Sequence, residues 1–188
     1  MDYYFELRAL PNPEILQSEV IAHLMGELHL ALTQYNGEIG LDFPGYAQGR
    51  GLGGIIRLLG RQSDIIQLHH HLTRIPSTAD YALITNPDPI PKKVQYHHRY
   101  QRQHAKGNSR LRRLKKRQIA AGTWSEEKEA QITHKFAQPL TLPHIRLKSR
   151  STNQPFILFI KRDTFPKPKE GEFNSYGLSL GEATVPKF

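Results

Sequence analysis

The chain has 188 residues, 38% of them hydrophobic, a formal net charge of +9 and no cysteine. Its length allows one ordinary domain or two small ones, and the missing cysteines exclude disulfides, thiolate metal sites and a cysteine nucleophile. No basic flank followed by an apolar run opens the chain, and no apolar stretch has membrane-spanning length, so a cytoplasmic protein with no membrane partner is expected.

Residues 2 to 8 (DYYFELR) predict a strand, and Pro11-Asn12-Pro13 ends it before a helix with Pro13 in its first turn. That helix is expected to run to about Tyr35, because Val20, Ile21, Leu24, Met25, Leu28, Ala31 and Leu32 recur at three- and four-residue steps. Asn36-Gly37 closes it. Residues 38–43 and 54–59 predict two strands joined by the loop 44–53, residues 63–73 a second helix, and residues 80–85 a fourth strand. Strand, helix, strand, strand, helix, strand is the ferredoxin-like order that also underlies RNA-recognition sheets. The expected class is therefore α+β, with a ferredoxin-like domain over residues 1–88. Three prolines within 86–91 mark a semi-rigid boundary, and residues 89–188 are expected to form a smaller C-terminal domain. Within it, residues 109–121 predict an arginine-rich helix, 125–136 a short helix capped by Ser125, and 143–149 and 156–162 two strands.

Charge is distributed unevenly along this plan. Residues 89–125 carry eleven Lys or Arg and no acid, so the whole positive excess sits in one stretch. In the helix, Leu111, Leu114 and Gln118 form a thin seam, while Arg110, Arg112, Arg113, Lys116 and Arg117 form a broad cationic face. Solvated helices normally mix signs, because like charges at four-residue spacing repel; a face of one sign is what a polyanion partner calls for. Just upstream, Arg102, His104 and Lys106, with His97 and His98, are interleaved with Tyr96 and Tyr100. Guanidinium groups that take guanine edges and rings that stack on bases suit an RNA recognition strip.

Other motifs carry less. Gly49-Arg50-Gly51-Leu52-Gly53-Gly54 lacks the Lys-Ser/Thr of a phosphate-binding loop and reads as a flexible connection. His69, His70 and His71 point three ways on a helix and read as surface. No HExxH, paired carboxylates or Asp-rich cluster occurs, so the expected chemistry uses no metal and no cofactor. By spacing alone, His29 is a half-buried helix histidine at the border of the apolar stripe.

Several ordered blocks resemble one family. They are Met1-Asp2-x-Tyr4, Gly26-x-Leu28-His29-x-Ala31-Leu32, Asp42-Phe43-Pro44, Ala105-Lys106-x-Asn108 leading into the arginine-rich helix, Ser149-x-Ser151-Thr152-x-Gln154-x-Phe156, and Ser175-Tyr176-Gly177-Leu178-Ser179. Together they resemble the CRISPR repeat-processing endoribonucleases of the subtype I-F systems. The resemblance implies that His29 is the general base, that Ser149 holds the nucleophilic 2′-hydroxyl, that Tyr176 orients the site, that Phe156 stacks on the base of an RNA hairpin and that Arg102 reads a guanine. It further implies an endoribonuclease that cuts precursor crRNA at the 3′ base of the repeat hairpin, leaving a 2′,3′-cyclic phosphate and a 5′-hydroxyl. Implied partners are the repeat hairpin, the mature crRNA and the other subunits of a type I-F surveillance complex (Cascade). His104 stands where a member of the family has an adenine-reading glutamine, a bidentate contact that imidazole cannot duplicate. The alternative is a non-catalytic RNA-hairpin-binding or ribosome-associated protein.

Overall fold

The aromatic-rich N-terminal run forms strand β1 (Tyr3–Ala9), with Phe5 and Leu7 fully buried, in the computed structural model, which describes residues 1–47, 51–104, 108–125, 127–129, 140–149 and 151–188. Strands β2 (Gly40–Asp42), β3 (Ile55–Gly60), β4 (Ala82–Ile84) and β5 (Asp88–Pro89) complete a first sheet of order β2-β3-β1-β4, with β5 also paired to β1. Every pairing is antiparallel, and the register sets Phe5 opposite Leu58 and Leu7 opposite Ile56. Helix α1 (Gln17–Leu32) follows β1, and α2 (Gln62–Leu72) follows β3. The fold is α+β.

The apolar stripe of α1 is buried as the spacing predicts, from Val20 to Leu32, and Asn36 ends the following 3₁₀ turn in the left-handed conformation at φ 47°. The start of α1 differs from the expectation at Pro13. Asn12 Oδ1 accepts the N–H groups of Glu14 and Ile15, which ties that stretch into a turn, and the Glu19 carboxylate takes the Leu16 N–H at 3.3 Å. Helix therefore begins only at Gln17, after side chains have claimed the donors. A short helix α3 (Pro76–Tyr81), with proline in its first turn, was not expected; it delays β4 to Ala82.

A second antiparallel sheet has the order β7-β8-β6-β9, formed by β6 (Tyr96–Gln103), β7 (His144–Lys148), β8 (Pro155–Phe165) and β9 (Val185–Lys187). Strands β7 and β8 match the expected pair, whereas β6 and β9 are additions. β6 was hidden because its buried face is built from His98 and Tyr100 rather than aliphatic residues. His98 and Tyr100 are thus withdrawn from any RNA-facing strip, while Tyr96 stays 49% exposed. Asp42 explains how such polar groups are tolerated: it accepts the Tyr100 hydroxyl at 2.8 Å, lies 3.4 Å from His98 Nδ1 and pairs with Arg57, which also binds Glu6 at 2.8 Å. This buried network ties β1, β2 and β3 to β6. Removing Arg57 would strand the buried Glu6 and Asp42 carboxylates at a cost of about 3–5 kcal/mol. Burial and the adjacent Asp42 push the Tyr100 phenol far above its ordinary value.

Residues Met1–Gln103 and Leu142–Phe188 make one compact unit, and His104–Thr141 make a second. In the second unit, α4 (Asn108–Ala120) ends on Gly122 at φ 64°, with Thr123 N–H donating to the Gln118 carbonyl, a glycine-terminated cap. Lys115 pairs with Glu129 and lies 5.2 Å over the Trp124 ring. Lys128 N–H donates to Ser125 Oγ at 3.3 Å, the expected cap; residues 126 and 130–136 of that predicted helix lie outside the described residues. Among the described residues no helix is long and apolar enough to cross a membrane.

Candidate active site

Helix α1 packs against β7, so the last turn of α1 and the turn that follows β7 come together. Between them opens a cleft of about 530 Å³ lined by His29, Arg102, Ser149, Phe156 and Tyr176, and also by Gly26, Leu30, Leu147, Lys148 and Ser151. Five residues singled out in the sequence, drawn from four separate segments, thus share one wall-to-wall site. All of them lie in the first compact unit.

His29 is held on two sides. Its ring stacks on Tyr176 with centroids 4.0 Å apart and planes 5° from parallel. Its Nδ1 lies 3.3 Å from the Ser175 carbonyl oxygen. A carbonyl can only accept, so the neutral imidazole carries its proton on Nδ1 and presents an unprotonated Nε2. The loop that supplies both contacts is built by Asn174, whose Oδ1 accepts the N–H groups of Tyr176 at 2.8 Å and Leu178 at 3.1 Å. Gly177 completes the turn at φ 65°, where a Cβ would lie 2.4 Å from Leu41 Cγ, so only glycine fits. Burial raises the Tyr176 phenol above its ordinary value, an effect partly offset by the Arg102 charge; the ring is neutral around pH 7.

Ser149 stands at the start of the turn between β7 and β8, which is closed by Ser149 N–H donating to the Gln154 carbonyl at 2.9 Å and by Asn153 in the left-handed conformation. Ser149 Oγ accepts the Thr152 N–H at 3.3 Å and lies 3.2 Å from Ser151 Oγ. With Ser151 as the donor of that pair, the Ser149 proton is left to point at a bound oxygen. Across the cleft, the Arg102 guanidinium carbon sits 5.3 Å from the centroid of the Phe156 ring, and Arg102 Nε is buried with no hydrogen-bond partner among the described residues. Register explains the pairing: Arg102 opposes Ile160 on β8, and Phe156 lies on the same face of that strand.

The remaining predicted residues belong elsewhere. His104 is exposed in the second unit, and so are Arg112, Arg113, Lys116 and Arg117, on a helix whose Leu114 and Gln118 are half-buried as the seam predicts. Arg110 lies on the backbone of α4, with its side chain outside the described residues; Lys106 lies outside them altogether, as do Gly49 and Arg50 of the glycine-rich loop. His69 turns inward, its ring 5.4 Å from that of Phe5, while His70 and His71 stay exposed. Among the described residues no group of three or more His, Asp or Glu side chains could hold a metal ion. Sequence reasoning gave no role to Asn174, to the Ser175 carbonyl or to Lys148. An Asn three residues before a Gly was the available sign, since it predicts an Asx turn.

Two curated relatives cover nearly the whole chain. It is 33% identical over 191 residues, all of both chains, to the CRISPR-associated endonuclease Cas6/Csy4 of Escherichia coli strain UTI89. It is 33% identical over 187 residues, 96% of this chain and 97% of the relative, to the protein of the same name from Pseudomonas aeruginosa strain UCBPP-PA14. The model of the family described as CRISPR-associated protein (Cas_Csy4) matches residues 4–188, and with that span the chain belongs to the Cas_Csy4 family.

Proposed function

We propose that this protein is a metal-independent endoribonuclease that binds the CRISPR repeat hairpin, cuts precursor crRNA at the hairpin's 3′ base and stays bound to the mature crRNA within a type I-F surveillance complex. The carrying observation is the cleft in which His29, Tyr176 and Ser149 face Arg102 and Phe156. The two relatives named as CRISPR-associated endonucleases support the same activity.

In this reading His29 Nε2 removes the proton of the 2′-hydroxyl next to the scissile phosphate, a role that suits an imidazole near neutral pH. The 2′-oxygen attacks that phosphorus, the bond to the 5′-oxygen breaks, and the departing oxygen takes up a proton. The products are a 2′,3′-cyclic phosphate and a 5′-hydroxyl. Ser149 holds the 2′-oxygen in line, Tyr176 keeps the imidazole in plane, Phe156 stacks on the closing base pair and Arg102 reads its guanine. Arg110, Arg112, Arg113, Lys116 and Arg117, with Lys106 and His104 before them, meet the hairpin's phosphates and bases.

A ferredoxin-like domain over 1–88 and a C-terminal domain over 89–188 belong to the same proposal. The strand order β2-β3-β1-β4 within residues 3–84 supports the ferredoxin-like part, and the second sheet, confined to 96–187, belongs with it to the compact unit of residues 1–103 and 142–188.

The test is cleavage of a cognate repeat hairpin by the purified protein. Cutting should survive EDTA, stop when the single 2′-hydroxyl at the cut is replaced by hydrogen, and slow by 10²- to 10⁴-fold in His29→Ala with hairpin affinity retained. A protein that binds the repeat tightly and never cuts it is the binding module instead.

A further inference from the structure

Among the described residues, strand β7 is an edge of the second sheet, paired with β8 alone. Along it Ile145 and Leu147 are buried, while His144, Arg146 and Lys148 are exposed. The three exposed residues stand on one face at two-residue steps, about 6.6 Å apart, close to the step between neighbouring phosphates of an extended RNA strand. Arg99 and Lys161 of this sheet, by contrast, pair with Asp163, and Arg99 pairs also with Glu182. Among the described residues neither Arg146 nor Lys148 has an acidic partner.

The row has two distinct ends. Lys148 lines the reaction cleft beside Ser149. At the far end the His144 ring lies 5.1 Å from that of Phe159, and its Nδ1 donates to the Leu142 carbonyl at 3.1 Å, which fixes the ring's direction. Ile157, opposite Arg146, is 43% exposed. Cations in series beside rings and an apolar floor are the elements of a single-strand platform, where phosphates meet charge and bases stack.

We infer that His144, Arg146 and Lys148 form a binding track for the single-stranded RNA on the 3′ side of the cut. The inference rests on the reaction proposed above, in which Phe156 and Arg102 face the hairpin and Ser149 holds the last 2′-oxygen before the scissile phosphate. Phe156 shares the buried face of the sheet with Leu147, opposite to Arg146. RNA continuing past that phosphate therefore leaves the cleft at Lys148 and crosses to the other face. The track holds the downstream strand in place for cutting and releases it as the short-lived product, because its hold is electrostatic and the tight hairpin contacts lie elsewhere.

Affinity is measured by fluorescence anisotropy with hairpins blocked by a 2′-deoxy substitution at the cut, bearing no flank, an oligouridine 3′ flank or an oligouridine 5′ flank. The 3′ flank should tighten binding by about 10-fold, or 1.4 kcal/mol, and steepen the salt slope by about 0.7 for each phosphate engaged. Arg146→Glu should abolish that gain and Arg146→Lys should keep it, both binding the flankless hairpin like wild type. The track is overturned if the 3′ flank adds nothing, if its gain survives Arg146→Glu, or if only the 5′ flank gives an Arg146-dependent gain. Cutting of the all-ribose hairpin by wild type is scored alongside: its loss refutes the proposed reaction, whereas an Arg146-independent flank refutes the track.

Discussion

The imidazole of His29 lies parallel to the phenol of Tyr176, ring centroids 4.0 Å apart and planes 5° from parallel, while its Nδ1 faces the Ser175 carbonyl at 3.3 Å. A ring held both in plane and edge-on has one free nitrogen and one direction in which to use it. General-base catalysis needs that geometry before it needs a shifted pKa.

The stack gives the first prediction. Tyr176→Phe keeps the ring and should cut at close to the wild-type rate, with an overlapping pH profile, because the burial-raised phenol stays neutral around pH 7. Tyr176→Ala frees the imidazole and should slow single-turnover cleavage by about 10- to 100-fold, the scale of a small misplacement of a reacting group. Hairpin affinity, measured in parallel, should hold. Equal rates for the Ala and wild-type proteins would take the stack out of the mechanism.

Asn174 acts one step further back. Its Oδ1 holds the turn that carries Tyr176 and aims the Ser175 carbonyl. Asn174→Asp retains the acceptor and should retain activity, whereas Asn174→Leu should slow cleavage with little change in binding. The distinguishing readout is the ¹⁵N spectrum of His29: wild type should show the Nδ1–H tautomer, and Asn174→Leu a shift toward the Nε2–H form. A slow Asn174→Leu protein with an unchanged tautomer would mean that Asn174 acts through stability alone.

Arg102 and the α4 cations should fail in different ways. Arg102→Ala should cost about 1–3 kcal/mol of affinity, and the loss should shrink when the closing guanine is replaced, as expected of base readout. Replacing Lys116 and Arg117 by Ala should weaken binding to every hairpin alike and lower the salt slope by roughly 0.7 to 0.9 per lost phosphate contact. Binding titrations over a salt series separate the two, and a guanine-independent Arg102 effect would mark that residue as a phosphate contact.

Acid should loosen the fold through half-buried histidines. Burial chiefly, with His70 beside it, lowers the His69 pKa below its ordinary value, and burial with His98 nearby does the same for His97. A lowered histidine pKa means that the folded state prefers the neutral ring, so its contribution to stability is present above the unfolded value of about 6.5 and is lost as pH falls through the folded value. The melting temperature should therefore drop between about pH 7 and pH 5, and less steeply in His69→Gln. A His69→Gln curve parallel to wild type would remove His69 from the acid response.

Strand composition and periodicity were enough to place α1, α2, β1, β3, β7 and β8: the stripe from Val20 to Leu32 is inward, residue for residue, in the folded chain, and Ile145 and Leu147 alternate inward on β7. Local chemistry was likewise visible in the turn at Asn36-Gly37 and the cap at Ser125. What failed were stretches whose outcome depends on distant partners. His98 and Tyr100 read as surface polar residues until Asp42, more than fifty residues away in the chain, supplies the buried acceptor that lets them turn inward. The start of α1 depended on side chains competing for backbone donors, which hydrophobic spacing does not record.

The site divides in the same way. The resemblance of the ordered motif blocks to one family implied a shared chemistry for His29, Ser149, Phe156, Tyr176 and Arg102, whereas spacing left His29 by itself as an ordinary border histidine. Only the packing of α1 against β7, and of the 173–179 loop against β2, brings those segments to one cleft and turns Nδ1 of His29 toward a carbonyl. Composition fixes which groups can react; their mutual distance and the nitrogen left free come from contacts between residues as far apart as 29 and 175, which no local pattern encodes.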